Sequence, residues 1–149
     1  MSSSPTAAHP FASTGIFRAL GDAPGDCPQC HVLFGIGIEF SADTVVRPDL
    51  IVICHEPEGD WVTRAPEMIV EVVSTNSARR DESIKFDLYE AEGVAHHLLV
   101  YRDTKKVKAY RLADGSYRKL GDCSDERPVF ELSKGCIELD VAGFRRRKG

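Results

Sequence analysis

Apolar positions in this chain either alternate with polar ones or gather into short β-branched runs, and a single stretch follows a longer period. The segments "HVLFGIGIEF" (31–40), "TVVRPDLIVI" (44–53) and "MIVEVV" (68–73) are bounded by Gly, Pro, Asp and Ser. That pattern predicts three strands, the first two joined by "SAD" (41–43). The connection 54–67 carries Pro57, Gly59 and Pro66 with no helical period. A loop of that kind suits an antiparallel return, so strands 49–53 and 68–73 are expected to run antiparallel.

The exception is "STNSARRDESIKFDLYEAEGV" (74–94), with Ser77 as N-cap, charged first turns, Ile84 and Leu88 four apart, and Gly93 as the stop. These features predict a helix. It leads into "HHLLVY" (96–101), so strand, helix and strand form a βαβ unit whose second strand lies parallel to the first. "KKVKAYRL" (105–112) and "GSYRKL" (115–120) then read as antiparallel strands through short turns, and "CIELDV" (136–141) adds one more. At the other end, residues 1–8 read as a disordered lead, "FASTGIFRAL" (11–20) as a short helix ended by Gly21, and "GDAPGDCPQC" (21–30) as a loop.

Length and composition narrow the picture. The 149 residues fit a disordered lead over 1–8 and one domain over 9–149. With 42% hydrophobic and 28% charged residues the composition is that of a globular protein, and no apolar run approaches the roughly 20 residues of a membrane span. "MSSSPTAAHPF" lacks the basic and apolar regions of a secretory signal, which places the five cysteines in a reducing cytoplasm. A net charge of −4 gives no global basic field for nucleic acid, so any such binding relies on local geometry; "RRRK" (145–148) and the Arg79–Arg80 pair are local basic spots.

The chemistry concentrates on Glu71, a carboxylate inside a β-branched run, which must be paired, protonated or bound to a metal. Side chains alternate along a strand, so Glu71 shares a face with Ile69 and Val73, and Asp49 shares one with Ile51 and Ile53. If the two strands pair with those faces together, two acids meet with little water, and neither stays ionised easily alone. A magnesium ion resolves that conflict with one or two carboxylates, retained waters and a backbone carbonyl, here that of Val72. Asp81, Lys85, Tyr89 and Gly93 are four apart, so Lys85 can point back to the acids from the helix. An ammonium there offsets charge developing on a scissile phosphate, and the expected reaction is phosphodiester hydrolysis.

Three ordered motifs resemble the Uma-two family of restriction-endonuclease-like proteins, a branch of the PD-(D/E)XK nuclease superfamily. "VRPDLIVI" resembles its Pro-Asp strand and "APEMIVEVVS" its Pro-x-x-x-x-Glu-Val-x-Ser strand. "DESIKFDLYEAEGV" resembles its Asp-x-x-x-Lys-x-x-x-Tyr-x-x-x-Gly-Val helix. The likeness runs from about residue 47 to 112. It implies an α/β fold with a restriction-endonuclease-like mixed sheet flanked by helices, and a magnesium- or manganese-dependent endonuclease acting on nucleic acid, DNA foremost. By position, Asp49 and Glu71 would bind metal, Lys85 would be the catalytic lysine, and Asp81 and Tyr89 would support the site. The lysine sits on the helix rather than two residues after the glutamate, where this chain has Val73; family members typically show the same migration. The chain departs from the family in starting near the first helix, without a Tyr-Glu-Leu-Ile-Asp-Gly segment. Leu98 and Tyr101 also stand where a Trp and an Asp are expected. A homodimer would cover exposed sheet edges and permit paired cuts.

Plainer readings compete at each position. Glu71 can pair with a core cation, Asp81 with Lys85 can be an exposed i,i+4 pair worth about 0.3–0.5 kcal/mol, Tyr89 can be packing, and His96 and His97 can be ordinary sheet histidines. "CPQCH" (27–31) matches a haem-attachment spacing and half a zinc site, yet no second C-x-x-C follows. Two other function classes therefore stand beside the nuclease: a nuclease-fold binding module without activity, and a zinc or redox protein centred on Cys27 and Cys30. The acids and the lysine converge on one explanation, whereas the cysteine reading uses one pentapeptide. Substrate sequence and strandedness are not legible, because base-reading contacts come from loops and dimer geometry.

Overall fold

A computed structural model describes residues 30–56, 61–73, 79–101, 106–123, 129–132 and 135–138. The expected lead, the helix over 11–20, Cys27, Ser77 and the "RRRK" tail lie outside the described residues. No helix among the described residues is long and apolar enough to cross a membrane.

The scaffold is a six-stranded mixed sheet of β1 (His31–Phe34), β4 (Leu50–Ile53), β6 (Met68–Val73), β7 (His96–Tyr101), β8 (Lys106–Ala113) and β9 (Ser116–Cys123), in that spatial order. As expected, β4 and β6 are antiparallel, with Leu50 opposite Val70 and Ile51 opposite Ile69. The pair β6 and β7 is parallel, joined through α1 (Arg79–Ala91), the one helix among the described residues. Gly93, at φ 83, ends that helix, and the Val94 N–H closes its last turn by donating to the Tyr89 carbonyl at 3.0 Å. A smaller sheet of β2 (Gly37–Ser41), β3 (Thr44–Val46) and β5 (Trp61–Val62) is hydrogen-bonded separately from the first, as is the hairpin of β10 (Val129–Leu132) and β11 (Gly135–Glu138).

Alternation splits the core between the two faces of the main sheet. Leu50, Val52, Met68, Val70, Leu98, Val100, Val107 and Ala109 pack on one face with Phe130 of the β10–β11 hairpin. On the other, Ile51, Ile53 and Ile69 meet Tyr89 of α1, Val94, and Ile38 and Val62 of the small sheet. Every residue of β4 is buried on both faces. Each such aliphatic side chain contributes about 1.5–3 kcal/mol of hydrophobic burial.

Three expectations need correction. The segment 31–40 is two strands in different sheets, because the chain turns at Gly35, whose φ of 67 favours glycine. The segment 44–53 divides likewise into β3 and β4 at Arg47–Asp49, where Pro48 supplies no N–H for a ladder. The connection 54–67 is not wholly loop, since Trp61 and Val62 pair in parallel with Gly37 and Ile38. Ile84 is 58% exposed, and α1 turns its Lys85–Tyr89 side toward the sheet. Strand β10, not anticipated, pairs with β11.

A Cβ added at Gly35 would meet nothing within 4 Å, so only the backbone conformation opposes a side chain there. Gly35→Ala is expected to lower stability by about 1 kcal/mol. Urea unfolding should show a reduced midpoint with an unchanged slope.

Candidate active site

Glu71 occupies the third pair from the end of β6 and is 8% exposed, so its carboxylate has left most of its water. The phenol of Tyr89 donates to its Oε2 at 2.7 Å, and the Lys85 ammonium stands 3.8 Å from the same oxygen. Both partners come from one side of α1, because residues four apart on a helix lie above one another. The helix-to-strand docking described above thus brings a donor and a cation to the buried acid, which lowers the cost of its desolvation. Lys85 keeps 36% of its side-chain surface, so its attraction to Glu71 is partly screened by water.

Asp49 immediately precedes β4. Continuing the β4–β6 register by one pair sets it opposite Glu71 on the same face. Its Oδ2 accepts the Val72 N–H at 2.8 Å, so a side chain takes up a β6 donor just before β4 begins. Asp49, Glu71, the Val72 N–H and Lys85 are therefore brought together. Asp81 lies in the first turn of α1, but its side chain is outside the described residues. Tyr89 is both packing and partner: it is fully buried among apolar side chains, and its hydroxyl reaches Glu71.

Behind Tyr89 lies His97, which sequence reasoning treated as an ordinary strand residue. Its ring is edge-on to Tyr89 at 4.9 Å between centroids and is surrounded by Phe86, Tyr110 and Tyr117 at 6.1, 6.5 and 5.9 Å. Neither ring nitrogen has a hydrogen-bond partner. Burial, with a smaller contribution from the Lys85 charge, lowers its pKa from 6.5 to about 4, so the imidazole is neutral at ordinary pH. Tyr117 fixes the far side of this aromatic cluster: its hydroxyl donates to the Val94 carbonyl at 2.8 Å and its N–H to Glu90 at 2.7 Å. Burial, and then the Glu90 charge, raise its pKa. No sequence signal separates this histidine from a satisfied one; only the tyrosines around it do.

Cys30 and Cys54 belong to the core on the opposite face, with their sulfurs 2.6 Å apart. The His31 imidazole stands 3.4 Å from Glu56. Among the described residues no three His, Cys, Asp or Glu side chains group to hold a metal. The Asp49 and Glu71 carboxylates number two, and hard oxygen donors of this kind suit magnesium, which binds one or two carboxylates and keeps several waters.

A mixed sheet with a parallel βαβ unit, carrying one acid on β6, a second just before the neighbouring β4 and a lysine on its helix, has the layout of a nuclease-like α/β protein. Its fold matches a crystal structure described as a putative nuclease belonging to DUF820 from Anabaena variabilis ATCC 29413, with a TM-score of 0.75 over 96% of this chain and 83% of that one. At 14% identity that likeness concerns the fold. The chain belongs to the Uma2 family, described as "Putative restriction endonuclease", whose model matches residues 1–139. None of the curated proteins compared with it matches.

The neutral His97 has a consequence for stability. The unfolded chain protonates this residue below about pH 6.5, whereas the folded protein holds it neutral down to about 4. The unfolded state binds more protons in that window, so stability is complete above pH 6.5 and is lost as pH falls toward 4. The full window corresponds to on the order of 3 kcal/mol. His97→Phe keeps an aromatic ring and removes the titration. Urea unfolding at pH 7 and pH 4.5 should therefore show a smaller acid loss in the variant than in the wild type.

Proposed function

We propose that the protein is a divalent-metal-dependent endonuclease that hydrolyses phosphodiester bonds of DNA. Asp49 and Glu71 would hold magnesium or manganese, with the Val72 carbonyl as a third oxygen donor. The observation that carries this reading is the approach of Lys85 to Glu71 at 3.8 Å, beside an Asp49 bonded to the next residue of the same strand. Hard oxygen donors on two neighbouring strands suit these ions better than they suit zinc. When bound, the cation acts as a Lewis acid that activates water and offsets phosphate charge.

The chain's own residues supply orientation and charge. The Tyr89 hydroxyl restrains the Glu71 carboxylate, and the Val72 N–H restrains that of Asp49, so both acids are positioned before substrate arrives. Lys85, partly exposed, can move its ammonium from Glu71 to a non-bridging phosphate oxygen as negative charge grows there. Water adds to phosphorus and one P–O ester bond breaks, leaving a terminal phosphate on one fragment and a hydroxyl on the other. The family description agrees with this reaction class.

The test is cleavage of plasmid, single-stranded DNA and RNA with added magnesium or manganese by the wild type, Asp49→Asn, Glu71→Gln and Lys85→Ala. Each substitution is expected to lower the rate about 100-fold or more, with circular dichroism confirming the fold. A folded wild type that binds DNA yet cleaves nothing with either ion would overturn the proposal in favour of a binding module.

A further inference from the structure

The sheet row that carries Glu71 continues past it. Glu71 pairs with Leu99 of β7, and Leu99 pairs with Lys108 of β8. Residues in register across neighbouring strands project to the same side. Lys108 therefore stands on the face of the two acids and Lys85, two strands from Glu71, about 10 Å away at the usual strand spacing. Its neighbours along β8 confirm the assignment of faces. Val107 and Ala109 enter the opposite core, while Tyr110 meets Phe86 of α1 at 4.9 Å.

The Lys108 ammonium lies over the ring of Tyr101, 5.0 Å from its centroid. Tyr101 is opposite Val73, two residues beyond Glu71 on the same face. The contact holds the cation above the sheet rather than leaving it to sweep through solvent, and cation–π attraction to an accessible ring costs little when an anion arrives. From β4 to β8 the row reads Asp49, Glu71, Leu99, Lys108: two acids, an apolar spacer and a cation. On β9 the residue in register with Lys108 is Asp122, and the core on this side is supplied by Ile51, Ile53, Ile69 and Tyr89.

We propose that Lys108, steadied by Tyr101, binds a DNA phosphate next to the scissile one and so contributes to holding the substrate strand. The inference rests on the nuclease reading above and adds a substrate contact that family membership does not assign. Lys85 serves the reacting phosphate and Lys108 a neighbour, so the two lysines differ in what their loss does. Without Lys108 the substrate binds less well, whereas chemistry on bound substrate proceeds.

The test uses the full chain and a fluorescently labelled DNA duplex. Binding is measured in EDTA across a salt series for the wild type, Lys108→Met and Lys108→Arg, with urea midpoints taken for each. Lys108→Met is expected to weaken binding on all sequences alike and to flatten the plot of log K against log salt by about 0.9, the value for one phosphate contact. Lys108→Arg should restore both. In cleavage, Lys108→Met should raise KM and leave kcat near that of the wild type, a split that a merely structural role would not give. Equal slopes for wild type and Lys108→Met would overturn the phosphate contact while leaving the cleavage site standing. A wild type that neither binds nor cleaves the duplex would overturn both readings.

Discussion

The organising constraint in this molecule is a carboxylate that the fold encloses. Glu71 retains 8% exposure in a strand whose other residues are aliphatic, and an ionised group there is costly unless hydrogen-bonded and paired. Its partners stand four residues apart on α1, so one docking geometry serves both. That geometry fixes the rotation of the helix about its axis. It carries Tyr89 into the core, leaves Lys85 at the rim and turns Ile84 outward. Gly93 then ends the helix, allowing β7 to return parallel to β6.

A second layer of polar groups stands behind the first. His97 presses edge-on against Tyr89, and Tyr110 and Tyr117 enclose it with Phe86. A neutral imidazole suits this place because burial disfavours its charged form, the ring nitrogens have no hydrogen-bond partner, and Lys85 adds positive charge nearby. Rigid aromatic packing holds the Tyr89 ring, and through it the direction of the hydroxyl that reaches Glu71. The Tyr117 bonds to Glu90 and Val94 extend that support from the end of α1 to β9.

What could be read from the sequence was whatever had a period. The β-branched runs at 68–73 and 96–101, and the helix between them, gave both the parallel pairing and the placement of Lys85. The proline-rich return between 54 and 67 gave the antiparallel pairing that puts Asp49 beside Glu71. The breaks at Gly35 and Pro48 were hidden, because apolar residues stand on both sides of each and a strand's pattern does not say which sheet it joins. Strand β5 has two residues and leaves no period to detect. The spacing of Ile84 to Leu88 marks a helix without deciding which side turns inward; the need to satisfy Glu71 decides that. His97 and Lys108 depend on contacts across strands, which a linear pattern does not display.

The central strand also bears on how the chain avoids misassembly. Met68–Val73 combines β-branching and hydrophobicity, the composition of segments that stack into cross-β fibrils. During synthesis it emerges before the helix and the strand that will cover it. In-register stacking of identical segments would set one Glu71 above another at about 4.8 Å, with neither Tyr89 nor Lys85 available to either. The acid that the finished fold surrounds with partners therefore acts, while the chain is still incomplete, as a gatekeeper against self-association.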